Sequence, residues 1–587
     1  AGALAIGVTS VAWHSWATLR GYFTQDDFIF IYSAAHHSLS LSYLFARHAG
    51  VHIMPGQFLL IWLVTRIAPL NYTVAVIPLL VLQALSVALL WRVLVRLFDH
   101  SILLLVPFAL YALSPLVFVS TLWWAVSLQL TPFFVVLFAS VDRQVRFVQT
   151  GVRRHAWLAL AWVAVGVLFW EKAVVLILVL FGFSIALSSS GSLPQRVVRT
   201  VRRHWWLWST YIAAAAAYAL VYTLNAPASA TQTTTTGSQL ASSQTVDLAH
   251  RMIVNVLLPG IFGGPWNSHL GKVNTPSPTL LVLAFGLVAL AVGTSVARRG
   301  SRATIAWVVL GLYLVLDVGL LAVARLHAWG PGIGSFPRFV ADAVPIVALC
   351  GALALLPLKG ESDSASTPPE RPSTWSDGEL VALGLAAILV VGAVFTTAMS
   401  TSLHENAADR RFVASATSAI KRNPGLVLFD GAVPADVLSP LFGPDWRASR
   451  VIGVTRPRPK FDLPTADLMV LDDLGVPRPV ALTYAVHARP GPAKDCGYAV
   501  GAGATAIGLD VLATGKHLVV EVIYFIGRSG DGRISSGNTS VRAHFEAGGV
   551  RAFYFVADGP FDKVAVEAPP GNVVCIARVT VGAAVPG

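Results

Sequence analysis

Between residues 3 and 400 the chain keeps returning to apolar runs close to the length that crosses a lipid bilayer. A hydrocarbon core roughly 30 Å thick is spanned by about 20 residues of α-helix. With no water to pair the backbone N–H and C=O groups, helices are the form such runs take. The runs lie near 3–18, 73–95, 102–119, 126–139, 157–169, 173–188, 206–224, 280–297, 305–324, 339–358 and 380–399. They predict a polytopic α-helical membrane protein of about 11 transmembrane helices. Composition agrees: 55% of residues are hydrophobic, 12% are charged, and the mean hydropathy is +0.67. A soluble domain of ordinary composition carries about 25% charged residues.

The basic residues are not scattered. Arg143, Arg146, Arg153 and Arg154 follow the fourth run, Arg196, Arg199, Arg202 and Arg203 the sixth, and Arg298, Arg299 and Arg302 the eighth. Lys and Arg collect in cytoplasmic loops. The loops after the even-numbered spans are therefore expected inside, with the N-terminus. The net charge of +12 reads as these loops and not as a nucleic-acid surface. The first helix is expected to be retained and not cleaved. A cytoplasmic (inner) membrane location follows, multi-pass, with everything after residue 400 extracytoplasmic.

That tail changes character. Residues 401–480 mix short apolar runs with polar helical pieces and read as a small α/β region. Residues 481–587 alternate as strands between Gly, Pro, Asn and Asp turns and read as a β-sandwich. The expected domains are thus 1–400, a transmembrane domain with an extracytoplasmic loop at 20–72, then 401–480, then 481–587. Of three cysteines, Cys350 lies in an apolar run. Cys496 and Cys575 both lie in the tail, where a disulfide suits an oxidising exterior and a pair of unbridged thiols is the alternative.

In the loop after the first run stands Phe23-Thr24-Gln25-Asp26-Asp27-Phe28, followed by His52-Ile53-Met54-Pro55. Asp and Glu number 30 in 587 residues, so an adjacent pair between aromatic residues is conspicuous. Three readings stand. Asp26 and Asp27 are solvated loop acids, or a general base that takes a proton from an attacking hydroxyl, or metal ligands. A nearby third ligand is missing from the metal reading, and no metal site is assigned. Asp317 lies inside the ninth run, where an ionisable residue is either functional or pairs with a neighbouring helix. Gln129 could line a cleft near Trp123-Trp124, or belong to an interfacial belt.

Taken in order, Asp26-Asp27, His52…Pro55, Arg96-Leu97-Phe98, Trp170-Glu171-Lys172 and Arg338-Phe339…Pro345 resemble the motifs of the GT-C superfamily. These are polytopic glycosyltransferases that use polyprenyl-phosphate sugars. The resemblance covers roughly residues 1–360 and is nearest to the branch of the protein O-mannosyltransferases and the lipid A aminoarabinose transferase. Asp27 stands where that pattern has Glu, and Glu171 where it has Thr.

The resemblance implies a GT-C-like fold and an inverting transfer of a sugar from a polyprenyl-phosphate donor. The acceptor would be a cell-envelope glycan, lipid or protein outside the membrane. It implies Asp26 as the base and Asp27 as a positioning group. Lys172, Arg338 and His52 would hold the donor phosphate, with Glu171 lining the site. A divalent cation is compatible with it, and no other cofactor is expected. Ala-, Val-, Arg- and Gly-rich usage points to a GC-rich, actinobacterial source and to arabinan or mannan assembly. The sandwich is then a candidate carbohydrate-binding module by analogy. The rivals are a transporter or flippase of lipid-linked sugars, whose polar residues belong near the bilayer midplane in repeated halves, and a non-catalytic envelope scaffold.

Overall fold

The computed structural model describes residues 1–47, 52–188, 191–224, 242–264, 268–269, 272–273, 276–361 and 377–587. The chain divides into two compact units. One comprises Ala1–Tyr22 and His37–Asn406, the other Phe23–His36 and Ala407–Gly587.

The first unit is helical. Among the described residues, six helices are long and apolar enough to cross a membrane: Tyr72–Leu97, Ile102–Thr121, Trp124–Thr150, Trp205–Leu224, Pro278–Arg299 and Ser301–Trp329. The expected count of about 11 is therefore not met by length and hydropathy. The runs at 173–188 and 339–358 yield α-helices of only 12 and 13 residues, Leu176–Leu187 and Ala343–Leu355. In each case a charged residue precedes the helix: Glu171 and Lys172 sit in the short 3-10 helix Glu171–Val175, and Asp342 stands just before the second helix. Proline breaks the run at 102–119. Pro115 has no N–H to continue a helix, and Ser114 starts a new one by accepting from the Val117 N–H.

Burial separates the helices by position. In the most apolar stretch of Trp124–Thr150, 89% is buried, against 11% for Pro278–Arg299. The former is the axis of the bundle, and the latter offers its apolar side chains outward, as a helix facing lipid does. Phe133, Phe134, Leu137, Phe138 and Val141 of the central helix join one continuous core with Leu90, Leu94, Leu176, Leu180 and Val344.

The second unit is built on two sheets. One has the strand order Thr539–Phe545, Gly530–Ser536, Phe561–Glu567, Ala504–Ala513. The other runs Arg551–Ala557, Leu518–Ile526, Val574–Pro586, Pro477–His487, Leu468–Leu471, Val427–Leu428, Lys460–Phe461, with Tyr498–Val500 also beside Val574–Pro586. Inward residues of both, among them Ile534, Phe545, Val564, Val522, Tyr524 and Ile576, form one core. The sheets therefore pack as a sandwich. Cys496 and Cys575 are disulfide-bonded.

Two expected boundaries are redrawn. Strand Pro477–His487 crosses residue 480 and pairs with Leu468–Leu471 on one side and Val574–Pro586 on the other. The α/β region and the sandwich thus share a sheet and cannot be separate domains. Likewise Phe23–His36, read as part of the membrane domain's loop, belongs to the second unit.

Candidate functional site

The candidate residues fall into two groups, one in each unit. In the second unit Asp26 and Asp27 open the helix Asp26–His36. Gln25 precedes them in the left-handed region, at φ 51°. Four hydrogen bonds hold it there. Its N–H donates to Val437 O (3.0 Å), its side-chain amide donates to Asp436 O (2.7 Å) and Ala435 O (3.2 Å), and its Oε1 accepts from Ser439 N (2.9 Å). The helix start is thereby pinned to a segment more than 400 residues away in sequence.

The two aspartates then diverge. Asp27 is fully buried, and its Oδ2 accepts from the Thr24 N–H at 3.0 Å. The Asp27 N–H in turn donates to Thr24 O at 3.0 Å. Such reciprocal bonding satisfies backbone donors that a helix start leaves unpaired. Asp26 is only half-buried at the first helical position. Both carboxylates gain from the positive end of the helix dipole. Asp409, on helix Ala407–Arg422, is 3% exposed, and its pKa is pushed up to about 8 by burial and by the nearby Asp436. Its bond from the Thr24 hydroxyl works the other way.

In the first unit, His52, Glu171 and Arg325 form a chain. The Arg325 Nη2 lies 2.9 Å from His52 Nε2. A guanidinium has only donors, so Nε2 accepts and the imidazole proton sits on Nδ1. That proton points at Glu171, whose two oxygens are each 3.3 Å from Nδ1. Glu171 also accepts from the Ile53 N–H at 2.9 Å. Burial pushes the Glu171 pKa up, but the bonds from His52 and Ile53 outweigh it and hold the carboxyl below its ordinary range. Arg325 lies in a π-helical turn, Ala322–Leu326, at the end of a long apolar helix. Such bulges recur at functional sites.

Lys172 is the neighbour of Glu171 but faces another set. Its ammonium bonds Asp317 and lies 2.5 Å from Asp342 Oδ2. The Tyr313 hydroxyl donates to the same Asp342 oxygen at 2.5 Å. Tyr313 and Asp317 are four residues apart on one helix, so they share a face. All are buried, with side-chain exposures of 9% for Lys172, 5% for Asp317 and 0% for Asp342. The ammonium expected to meet a donor phosphate is therefore already held by two carboxylates. Arg338 is held differently. Its guanidinium lies 4.8 Å from the Trp123 ring centre and 4.9 Å from that of Phe339. Stacking of this kind fixes the plane of the group.

Gln129 is half-buried on Trp124–Thr150 and joins neither group. Arg325, Asp342 and Tyr313 were not singled out from the sequence. Each lies at or inside an apolar run, and the scarcity of charge there was the available signal for the two charged residues. Among the described residues no group of three or more His, Cys, Asp or Glu side chains is placed to hold a metal ion. The side chains around Asp26 and Asp27 thus do not fit a complete protein-only cation site.

No protein-family model matches the chain, and no curated protein matches it. Among solved structures, EmbB, an arabinosyltransferase from Mycobacterium smegmatis, is similar at 12% identity and a TM-score of 0.36, over 99% of this chain and 64% of that one. AftD, an arabinofuranosyltransferase from mycobacteria, is similar at 12% identity and a TM-score of 0.33, over 98% and 58%. The chain spans about three fifths of the length of these structures. Similarity this low says nothing by itself about what the chain binds or does.

Proposed function

We propose that this chain is an inverting membrane glycosyltransferase, which moves a sugar from a polyprenyl-phosphate donor to a cell-envelope glycan, lipid or protein acceptor outside the cytoplasmic membrane. The motif order in the sequence suggests the class. The observation that carries it is the division of labour within the acidic pair. Asp27 is consumed by its own helix start, whereas Asp26 is half-buried on a turn that Gln25 holds rigid.

In this reading the Asp26 carboxylate takes the acceptor hydroxyl proton. The acceptor oxygen bonds to the anomeric carbon from the face opposite the leaving group. The bond from that carbon to the phosphate oxygen breaks, and polyprenyl phosphate leaves with the electron pair. In the first unit, Arg338 and Arg325 are the groups suited to an anionic phosphate, and His52, which accepts from Arg325 and donates to Glu171, orients that guanidinium. Lys172 acts from behind, neutralising Asp317 and Asp342. The basic helix ends at Arg92, Arg96, Arg143 and Arg146, gathered around buried Asp142, support a cytoplasmic placement for that side of the first unit. The C-terminal sandwich is then extracytoplasmic and a candidate carbohydrate-binding module.

One observation favours the rival reading, a transporter of lipid-linked sugars: Lys172, Asp317 and Asp342 form a buried charged group of the kind that marks ion pathways. The deciding experiment uses purified protein in lipid, a panel of labelled polyprenyl-phosphate sugars and an envelope glycan extract. We expect transfer by the wild type, and donor binding without transfer by Asp26→Asn. Donor movement across vesicles with no transfer from any sugar would replace the enzyme reading by the transporter. Binding with neither activity would leave the scaffold.

A further inference from the structure

The helix Leu193–Arg203 is unlike the others of the first unit. It starts at a capping box in which the Ser192 N–H donates to Gln195 Oε1 at 3.1 Å. It carries Arg196, Arg199, Arg202 and Arg203 within 11 residues, too many charges to cross a membrane. Thr200 faces the protein at 4% exposed, while Leu193, Val198 and Val201 are 36%, 47% and 39% exposed. The outward surface therefore mixes apolar side chains with guanidinium groups. The apolar helix Trp205–Leu224 follows at once, with Trp205 65% exposed.

One open face of this helix is formed by Pro194, Gln195, Val198, Arg199, Arg202 and Arg203. Gln195, Arg199 and Arg202 follow one another at helical spacings of four and three residues and so form one stripe. Pro194 and Val198 form the stripe beside it. A ligand that fits has an anionic head and an apolar part.

The charge here is also handled differently from the nearby clusters. Arg92, Arg96, Arg143 and Arg146 share Asp142, and Arg299 and Arg302 share Glu361. Arg196, Arg202 and Arg203 form no ion pair with any described residue. Positive charge gathered beside exposed apolar side chains and next to a span matches the surface of an anionic bilayer leaflet.

We propose that this face is a binding site for an anionic phospholipid of the bilayer. Arg199, Arg202 and Arg203 take the phosphodiester head, and Pro194 and Val198 take the first carbons of the acyl chains. The site holds the loop between two helices of the bundle against one leaflet. It is separate from the residues assigned to sugar transfer. A soluble acidic peptide would not use the exposed apolar stripe.

The test uses full-length protein, purified in detergent and stripped of lipid. Dioctanoyl phosphatidylglycerol or dioctanoyl phosphatidylcholine is titrated in, and bound lipid is read by native mass spectrometry alongside the thermal midpoint. We expect preference for phosphatidylglycerol in the wild type. It should fall on the order of a hundredfold in the triple variant Arg199→Gln, Arg202→Gln, Arg203→Gln. The corresponding triple Lys variant should retain most of it, and Arg154→Gln with Arg298→Gln should leave it unchanged. Equal binding of both lipids by the wild type overturns the proposal. So does an unchanged preference in the Gln variant. If the Gln triple fails to fold, the single substitution Arg202→Glu supplies the same comparison.

Discussion

Asp26 and Asp317 are both carboxylates in a chain that has few, and they are held by opposite means. Asp317 lies inside the first unit, where an ammonium, a second carboxylate and a tyrosine hydroxyl surround it. Asp26 stands on the first turn of a helix in the second unit, half-buried, beside a buried twin that bonds the backbone. Asp409 is a third case: it is buried like Asp317 but keeps a proton instead of taking a cation. An acid neutralised in place is structural, and a half-buried acid on a rigid turn is suited to proton transfer. Charge scarcity marks all of these residues, but only their surroundings sort them.

The largest effect should come from Asp26. Asp26→Asn is expected to reduce transfer by about 10²–10⁴-fold, the range for loss of a general base, with the thermal midpoint unchanged. Initial rates at saturating donor measure it. An Asp317→Asn variant that folds as well as wild type and loses transfer just as completely would erase the distinction between the two acids.

Next comes the buried cluster. Lys172→Met leaves two carboxylates without their cation and should destabilise the first unit by about 3–5 kcal/mol, as removal of one buried partner does. Adding Asp317→Asn and Asp342→Asn should recover much of that. Thermal unfolding in detergent reads both. If Lys172→Met unfolds normally but fails to bind donor, the ammonium belongs to the phosphate and not to the helices.

Asp409 sharpens the contrast through pH. Its pKa is about 8 when folded, against an ordinary 3.8, so the folded state holds the extra proton between those values. Its contribution is complete below the lower value and is lost as pH rises through about 8. The thermal midpoint of the second unit should therefore fall between pH 5 and 8.5. Asp409→Asn should flatten that slope and be the more stable form at pH 8.5. A variant with the wild-type slope refutes this.

Smaller again is the basic chain. Arg325→Ala should weaken donor binding by about tenfold or more, the scale of one hydrogen bond to a charged group. Glu171→Gln should do less, because Arg325 and His52 remain and the amide oxygen still accepts from Nδ1. Affinity unchanged in both, with transfer intact, would remove this group from the phosphate.

Much of this could be read from the chain before any fold was known. Asp26, Asp27 and Asp317 stand out because charge is expensive in an apolar chain, and His52, Glu171, Lys172 and Arg338 through the order of the motifs. Their partners could not be read. Asp342 sits at the mouth of an apolar run, and Arg325 at the end of another, where each looked like a boundary residue. The role of Gln25 could not be read either, because the segment at 435–439 that holds it is distant in sequence. Nor did hydropathy show where a span is broken: a 12-residue helix joined to a 3-10 turn reads as one longer run.

The smallest effect is the most discriminating within the acidic pair. The Asp27 carboxylate accepts from the Thr24 N–H, a bond that needs an acceptor oxygen but no charge. Asp27→Ala should cost about 0.5–2 kcal/mol, as loss of a side-chain bond at a helix start does. Asp27→Asn keeps a carbonyl oxygen in place and should cost less. Transfer by Asp27→Asn should then stay within about tenfold of wild type, while Asp26→Asn is silent. The opposite result, with Asp27→Asn silent and Asp26→Asn active, would mean that the buried carboxylate becomes accessible when substrate binds, and the base would move one residue along the helix.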